Sequence, residues 1–152
     1  MAARVSIQTA DFDLAQEVKT LRNADKRIGA ICTFTGTVRD INDGSNVSSM
    51  ELEHYPEMTE KAIEAMIDNA FGRFDIFGAR VVHRIGLLQP LDQVVMVAVT
   101  SAHRAESFKA CEFLMDYLKT EAPFWKKEQT PKGMRWVDAR VSDDVAMRKW
   151  DV

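Results

Sequence analysis

The sequence has few cysteines and no grouping of residues typical of a metal site. Among its 152 residues only Cys32 and Cys111 carry a thiol, and neither belongs to a CxxC pair or to a His/Cys ligand spacing. This argues against a disulfide framework and a structural zinc site, and we expect no metal and no cofactor. Both thiols fall on apolar faces of their predicted elements, which is typical of inert packing rather than of a nucleophile.

Long hydrophobic runs and an excess of charge are also lacking. No apolar segment approaches the roughly 20 residues that a membrane-spanning helix needs, and the N-terminal segment has no apolar signal-peptide core. We therefore expect a cytoplasmic protein with no membrane contact. The net charge is only −3, so bulk charge does not indicate a nucleic-acid partner. Any anion site must come from local clustering of lysine and arginine.

What is present is an ordinary globular composition, with 46% hydrophobic and 28% charged residues. A chain of this length can bury a core of its own, and disorder would require lower hydrophobicity with higher net charge. The sequence contains no internal repeat, and its one break rich in Gly, Ser and Asn, residues 42–49, predicts a surface loop. These features predict a single domain over residues 1–152.

Hydrophobic periodicity predicts the element order β-α-β-β-α-β-β-α-β-β. A half-buried strand over residues 28–39 ends in Arg39, the almost wholly apolar residues 94–100 predict a central strand, and residues 134–141 predict the last strand. Because hairpins and helices are mixed rather than strictly alternating, this order predicts an α+β fold, with helices packed on a mainly antiparallel sheet.

The starts of the three predicted helices follow from their capping residues. Asp13 is expected to cap the first helix, Pro56 to take the first position of the second, and Ser101 to cap the third. Helical spacing places Phe71 in the apolar stripe of the second helix and Phe108 on the buried face of the third.

A short basic segment, Ser-Ala-His-Arg at residues 101–104, lies where a predicted strand passes into the third helix. Free N–H groups and the positive end of the helix dipole meet there, so His103 and Arg104 oppose the dipole. Basic side chains at this end of a helix are slightly unfavourable, and a bound phosphate would make them favourable. The alternative is that Arg104 simply points into water, as most arginines do.

Three lysines form the second basic group. Lys119 lies in the last turn of the third helix, where the dipole alone favours a cation. Lys126 and Lys127 follow two aromatic residues on an extended segment, so one can face a pocket while the other meets solvent. Two lysines converging on one site would depress each other's pKa, and a neutral amine can act as a base or a nucleophile. A solvated charged surface is the alternative.

Other polar side chains carry weaker signals. Arg39 follows Gly36, which would let a ligand approach the backbone closely, and arginine is well suited to bidentate phosphate binding. An arginine at a strand end is more often solvated. His54 and His83 fall inside strand patterns with no carboxylate or cysteine at ligand spacing, so we interpret both as structural.

Taken together, the motifs resemble the large, catalytic subunit of molybdopterin synthase. In chain order they are GAICTFTGTVRD, LEHYPEMTEK, VVHRIGLLQP, VTSAHRAESF, DYLKTEAPFWKKE and GMRWVDAR. The resemblance runs from about Gly29 to the C-terminus, and the paired SAHR and LKxxxPFWKKE motifs are its most specific parts. One departure is Leu91 in the turn after Pro90, where the family commonly has glycine, and this puts the geometry of that turn in question.

The resemblance implies an enzyme that converts cyclic pyranopterin monophosphate to molybdopterin by installing a dithiolene. Sulfur would arrive as a thiocarboxylate on the C-terminal Gly-Gly tail of a small ubiquitin-like subunit, which inserts into a pocket of the large subunit. The resemblance also implies the family's α/β-hammerhead fold and a heterotetramer, in which two large subunits form a central homodimer with one small subunit at each end. The active site would lie near the dimer interface, so both copies could contribute to it.

The resemblance also assigns roles to nine positions. The catalytic positions are Lys119 and Lys126. The substrate-binding positions are Thr37, Val38, Arg39, His103, Arg104, Lys127 and Glu128. Lys119 would act at the reacting centre, as a base or as the group that engages the thiocarboxylate, and Lys126 would assist by charge stabilisation or proton transfer.

Two other functions compete with the enzyme. In a non-catalytic binding module, the basic pocket would merely hold an acidic peptide tail. In a nucleic-acid binder, Phe124, Trp125, Lys126 and Lys127 would form a stacking and basic patch. A net charge of −3 and an isoelectric point near 5.6 argue against the latter.

Overall fold

The structure of the protein, a computed structural model, describes residues 3–42, 45–46, 49–131, 133–137 and 148–150. Within these ranges, the side chains of residues 41–42, 45–46, 125–128 and 134–137 are outside the description. The helices are α1 (Leu14–Arg22), α2 (Met58–Arg73) and α3 (Arg104–Thr120). The strands are β1 (Val5–Gln8), β2 (Ala30–Thr37), β3 (Ile41–Asn42), β4 (Ser45–Asn46), β5 (Ser49–His54), β6 (Gly78–Arg84), β7 (Gly86–Leu88), β8 (Gln93–Ser101), β9 (Phe124–Thr130) and β10 (Gly133–Val137).

The described strands form two four-stranded sheets and a small ribbon. Sheet 1 has the order β1-β6-β8-β2, sheet 2 has the order β10-β9-β5-β7, and β3 pairs with β4. All the described pairings are antiparallel except that of β1 with β6. The predicted α+β class with mainly antiparallel strands is therefore confirmed, although the strands belong to two main sheets rather than to one.

Sheet 2 was not apparent from the order of elements. β5 follows β2 along the chain, yet it pairs with β7 and β9, while β2 pairs with β8. The short strand β7 begins two residues after β6 ends and belongs to the other sheet. β10 covers the first part of the predicted last strand, and residues 138–141 of that prediction lie outside the described residues.

The prediction of a central strand is confirmed by β8, which lies between β6 and β2. Its side chains alternate between two cores. Val95, Val97 and Val99 pack in the larger core with α2 and α3, whereas Met96 and Ala98 pack in a smaller core beside α1. Because both faces of the strand are covered, its sequence is a continuous apolar run with no polar alternation.

Two of the predicted helix starts can be compared with α1 and α2. Asp13 caps α1, since its carboxylate accepts the N–H of Gln16 at 3.2 Å, as predicted. The prediction for Pro56 is wrong, because α2 begins at Met58. The N–H of Met58 donates to the carbonyl oxygen of Pro56 at 2.8 Å, and Glu57 between them has φ 69° and ψ −45°. This strained γ-type turn precedes the helix.

Two aromatic residues expected in the core lie on the surface. Phe71 is 38% exposed and Phe108 is 59% exposed. The buried stripe of α2 passes through Ile67 and Ala70, so Phe71 falls one position beyond it. In α3 the buried face includes the smaller residue Ser107. The neighbouring Phe108 lies outside that face and is exposed to solvent. No helix among the described residues is long and apolar enough to cross a membrane.

Candidate active site

The junction between β8 and α3 is a tight turn at Ala102. Ser101, the last residue of β8, is buried, and its hydroxyl donates to the carbonyl oxygen of His103 at 2.6 Å. The N–H of Gly29 donates to the Ser101 carbonyl at 3.0 Å. A Cβ at Gly29 would lie only 2.3 Å from the carbonyl oxygen of Ala102, so the close approach of this turn to β2 requires glycine.

His103 is the N-cap of α3, and the prediction that Ser101 caps this helix is wrong. Ser101 still belongs to β8 and uses its hydroxyl within the turn. The His103 backbone is extended, with φ −130° and ψ 153°, and its side chain makes no capping hydrogen bond. His103 and Arg104 are both exposed beside the first N–H groups of a 17-residue helix, an arrangement that favours an anion.

The end of β2 presents a second exposed basic residue. Thr37 and Arg39 are exposed, whereas Val38 between them is only 5% exposed and packs in a small core with Met50 and Leu88. A register shift between Gly36 and Thr37 interrupts the ladder just before this point. Val38 therefore anchors the strand end, and the two exposed side chains beside it are the ones available to a ligand.

The turn between β7 and β8 holds Val38 in place. The Val38 N–H donates to the carbonyl oxygen of Asp92 at 3.0 Å, and the Leu91 N–H donates to the Val38 carbonyl at 2.8 Å. Within the turn, the Asp92 N–H donates to Gln89 at 3.0 Å and Leu91 has φ 77°. A type II turn favours glycine at this position. Leu91 therefore adopts the backbone of a glycine, and the turn keeps its shape at a cost in strain.

Lys119 and Lys126 lie on either side of a short crossover, residues 121–123, which joins α3 to β9. Lys119 is exposed in the last turn of α3, beside the buried Leu118. The backbone of Lys126 lies in β9, paired with Leu52 of β5 and with Val137 of β10. The side chains of the three predicted site residues at 126–128 lie outside the described residues.

The crossover lies at the end of sheet 1 where β2 finishes. The ring of Phe124, the first residue of β9, stacks on the ring of His83 with centroids 3.9 Å apart. His83 pairs with Val95 of β8, which pairs in turn with Gly36 of β2. The lysine at the end of α3 and the arginine after β2 therefore lie toward the same end of this sheet.

The His103–Arg104 pair lies at the opposite end of sheet 1. Ala30 of β2 pairs with Ser101, seven residues before the paired Thr37, which corresponds to about 23 Å at roughly 3.3 Å per residue. Along α3, Lys119 is fifteen residues from the first helical residue, or about 22 Å. One copy of the chain therefore presents two basic groups at opposite ends, and these groups cannot contact the same small molecule.

The thiols are poorly suited to act as nucleophiles or sulfur donors. Cys111 is 4% exposed, and its Sγ lies 4.0 Å from the carbonyl oxygen of Val97. Burial, together with the neighbouring Cys32, raises the pKa of the Cys111 thiol far above its usual range, so the thiol stays protonated at neutral pH. Cys32 is partly buried, and both cysteines are free.

His54 and His83 each make a polar contact within the fold. Nε2 of His54 lies 3.5 Å from the carboxylate of Glu60. Nδ1 of His83 lies 2.8 Å from the carbonyl oxygen of Arg84, and its ring covers Phe124. Among the described residues, no group of three or more His, Cys, Asp or Glu side chains is placed to hold a metal ion.

Thr59 was missed by the sequence reasoning. It is fully buried in the first turn of α2, and its hydroxyl donates to the carbonyl oxygen of Pro123 in the crossover at 3.1 Å. A signal was present, since Thr59 lies four residues before Ile63 and so continues the buried stripe of the helix. A polar residue on such a stripe must find a partner, because burying an unpaired hydroxyl is costly.

Comparisons with known proteins extend the resemblance beyond the motifs. A family model described as MoaE protein matches residues 7–121. A molybdopterin synthase catalytic subunit from Ralstonia nicotianae is 60% identical over 148 residues, which cover 97% of this chain and 84% of the relative. A solved structure of a molybdopterin biosynthesis MoaE protein from Burkholderia ambifaria is 56% identical with a TM-score of 0.86, and the match covers 99% of both chains.

A more distant structure has the same fold. The crystal structure of molybdopterin synthase from Staphylococcus aureus is 30% identical, with a TM-score of 0.83 over 91% of this chain and 99% of that chain. The similarity therefore also includes the segment before Gly29, which contains none of the motifs. The identification made from the motifs is confirmed, and the chain belongs to the MoaE family.

Proposed function

We propose that this protein is the catalytic subunit of a molybdopterin synthase. It converts cyclic pyranopterin monophosphate to molybdopterin, with sulfur delivered as the thiocarboxylate of a small ubiquitin-like partner. The observation that carries this proposal is the pair of exposed basic groups, His103–Arg104 at a helix N-terminus and Arg39 with Lys119 near the end of β2. The relatives at 48–60% identity, which are named as this subunit, support the same activity.

The helix N-terminus suits the phosphate of the pterin. The first N–H groups of α3 and two exposed basic side chains converge on a small region at His103 and Arg104. A phosphate oxyanion would complement both the dipole and the side chains. A bound phosphate also explains why basic residues occupy the helix end at which they are least favoured.

The lysines suit the sulfur-transfer step. The thiocarboxylate is an anion that enters next to Lys119, and Lys126 lies across the crossover. Each transferred sulfur leaves the acyl carbon of a carrier tail, and that carbon must take up an oxygen in exchange. Two carrier tails are consumed for each dithiolene. Cationic lysines would stabilise the charge that develops on sulfur and oxygen, and a neutral amine would accept the proton.

A second copy of the chain would bring the two basic groups together. β2 lies at the edge of sheet 1 in the described residues, and Phe34 on β2 and Phe108 on α3 are 42% and 59% exposed. Antiparallel packing of this edge about a two-fold axis would place the start of one β2 beside the end of the other. Each site would then combine Arg39, Lys119 and Lys126 of one copy with His103 and Arg104 of its partner.

The remaining predicted contacts complete this proposal. Thr37 and Val38 would line the strand end beside Arg39. The side chain of Val38 is buried, so this residue would contribute by fixing the position of the backbone. Lys127 and Glu128, which follow Lys126 in β9, would provide the remaining substrate contacts. We further propose that the chain is a single domain over residues 1–152 and acts in the cytoplasm, as the central homodimer of a heterotetramer with one sulfur carrier at each end.

The test is a reconstituted reaction. The purified chain is mixed with a thiocarboxylated carrier and cyclic pyranopterin monophosphate, and molybdopterin is measured. We expect product from the wild type and its loss in Lys119→Ala. Lys109→Ala provides a matched control, because Lys109 is an exposed lysine on α3 outside the proposed site. A carrier complex that forms without product would instead support the binding module, and full activity in Lys119→Ala would overturn the assignment of that residue.

A further inference from the structure

The crossover between α3 and β9 determines how Lys119 and Lys126 are placed relative to each other. Only residues 121–123 separate the two elements, so a shift of this segment changes the spacing of the lysines directly. We propose that Thr59 and His83 are positioning residues for sulfur transfer, because they hold this crossover from two sides. The inference rests on the proposed function, since it assumes that both lysines act in one reaction.

Thr59 holds the crossover from the side of α2. Its side chain is 0% exposed. Its hydroxyl donates to the carbonyl oxygen of Pro123 at 3.1 Å and accepts the N–H of Tyr55 at 3.1 Å. Both the donor and one acceptor site of the hydroxyl are therefore used, which fixes its direction. The hydrogen bond ties the crossover to the turn that precedes α2.

The crossover has few hydrogen bonds of its own. Pro123 has no N–H to donate. The local bonds run from the Glu121 N–H to Tyr117 at 2.7 Å and from the Phe124 N–H to Ala122 at 2.8 Å. These bonds shape the ends of the crossover but do not tie it to the rest of the protein. Thr59 supplies such a tie at Pro123, the last residue of the segment.

His83 holds the adjoining residue, Phe124, from the side of sheet 1. Its ring stacks on Phe124 with centroids 3.9 Å apart and an angle of 18° between the ring planes. His83 is itself fixed in sheet 1 by pairing with Val95 and Ile7. Phe124 is the first residue of β9 and lies two residues before Lys126. The stack therefore sets where β9 begins relative to sheet 1.

A purely structural role predicts different behaviour. If Thr59 and His83 only contributed stability, their variants would unfold more easily, and the folded fraction would react at the wild-type rate. A positioning role predicts a slower chemical step in fully folded protein, since small displacements of reacting groups can cost about 100-fold in rate. Binding of the pterin should change little, because Thr59 and His83 make none of the proposed phosphate contacts, which come from His103 and Arg104.

The test compares isosteric variants in the reconstituted reaction under single-turnover conditions. Thr59→Val keeps the shape of the side chain and removes the hydroxyl, whereas Thr59→Ser keeps the hydroxyl. We expect Thr59→Val to lower the rate constant by about 10- to 100-fold with little change in the pterin concentration that gives half the maximal rate. Thr59→Ser should retain most of the rate. Circular dichroism and thermal unfolding establish that both variants are folded.

His83 provides a second pair of variants that keeps the inference testable even if Thr59→Val does not fold. His83→Phe retains a ring to stack on Phe124, and His83→Leu does not. We expect the leucine variant to be slow and the phenylalanine variant to be close to wild type. Combining Thr59→Val with His83→Leu should slow the reaction by less than the product of the single effects, because both changes release the same segment.

The outcomes separate this inference from the proposed function. A folded Thr59→Val protein that reacts at the wild-type rate would overturn the role of Thr59. Equal losses in Thr59→Val and Thr59→Ser would show that any change in this side chain slows the reaction, and would overturn a specific role of the hydroxyl. Equal losses in His83→Phe and His83→Leu would overturn the role of the ring stack. Absence of product from the wild type would count against the proposed function itself.

Discussion

At the scale of single residues, Leu91 shows how a departure from a family pattern is accommodated. Its side chain is 85% exposed and its backbone has φ 77°, so the residue gains little from burial while it carries the strain of a left-handed conformation. The turn still forms because both of its neighbouring hydrogen bonds to Val38 remain. Leucine in place of glycine at position 91 therefore lowers the stability of the protein. It does not displace the end of β2, which precedes Arg39.

This leads to a prediction for Leu91. Leu91→Gly should raise the free energy of unfolding by about 1 kcal/mol, because glycine adopts this backbone without strain. Leu91→Ala should change stability little, since it keeps the Cβ that causes the strain and removes only an exposed side chain. Urea unfolding of the three proteins would measure the difference. A glycine variant no more stable than the alanine variant would show that the turn is unstrained.

Gly29 gives a second residue-scale prediction. Gly29→Ala places a Cβ 2.3 Å from the carbonyl oxygen of Ala102, so the turn before His103 must move. We expect a loss of about 1–3 kcal/mol in stability and weaker binding of the pterin phosphate, measured by calorimetry. Gly72→Ala is the control, because a Cβ there meets nothing within 4 Å and alanine favours the helix. Unchanged phosphate binding in a folded Gly29→Ala protein would contradict the proposed phosphate site.

At the scale of elements, residues 148–150 dock on the outer surface of α2 and α3. The ring of Trp150 lies edge-on to Phe74 and Phe113, with centroids 5.9 and 5.4 Å away. Its Nε1 donates to the carboxylate of Asp116 at 2.6 Å. The hydrogen bonds of Lys149 to Glu112 and Asp116 raise the pKa of its ammonium group further, with the bond to Glu112 contributing most. These contacts join residues 148–150 to the helix that carries Lys119.

Trp150 variants test this docking. Trp150→Phe keeps the ring contacts and loses the hydrogen bond, so we expect a loss of about 1 kcal/mol in unfolding free energy. Trp150→Ala also loses the apolar contact and should cost about 2 kcal/mol or more. Guanidinium unfolding followed by circular dichroism would rank the three proteins. Equal stability of the wild type and the alanine variant would show that this docking is absent in solution.

At the scale of the whole molecule, a substrate site that joins the two proposed basic groups would need a second copy of the chain. Lys119 and Arg104 of one chain are about 22 Å apart along α3. In a site shared between two chains, Lys119 of one copy would instead lie beside Arg104 of the other. The same arrangement would cover the exposed aromatic residues Phe34 and Phe108. It would also explain the surface position of Phe108, since a residue at an interface is exposed in the isolated chain.

Complementation tests the shared site. Lys119→Ala and Arg104→Ala should each be inactive as pure proteins. After the two are mixed and their subunits exchanged, half of the dimers are mixed and each contains one intact site, so about one quarter of wild-type activity should return. Reassembly of each variant with itself provides the control for the exchange procedure. Failure of the mixture to regain activity, with exchange confirmed by mass spectrometry, would place both residues in one copy.

The local features of this protein could be predicted from its sequence. The cap at Asp13, the apolar run that became β8 and the mixture of hairpins with helices each depend on neighbouring residues, so periodicity was enough to predict them. The SAHR and LKxxxPFWKKE motifs identified the family for the same reason, since they are read along the chain. The α+β class followed from the order of the elements.

Which elements contact one another could not be predicted from the sequence. The pairing of β5 with β9 rather than with β2, the exposure of Phe108 and the contact between Thr59 and Pro123 all join residues far apart in sequence. Register between distant strands is set by packing and has no local signature. For the same reason the distance between Arg39 and Arg104 could not be predicted from the sequence, and the antiparallel ladder of β2 and β8 places them at opposite ends of the sheet.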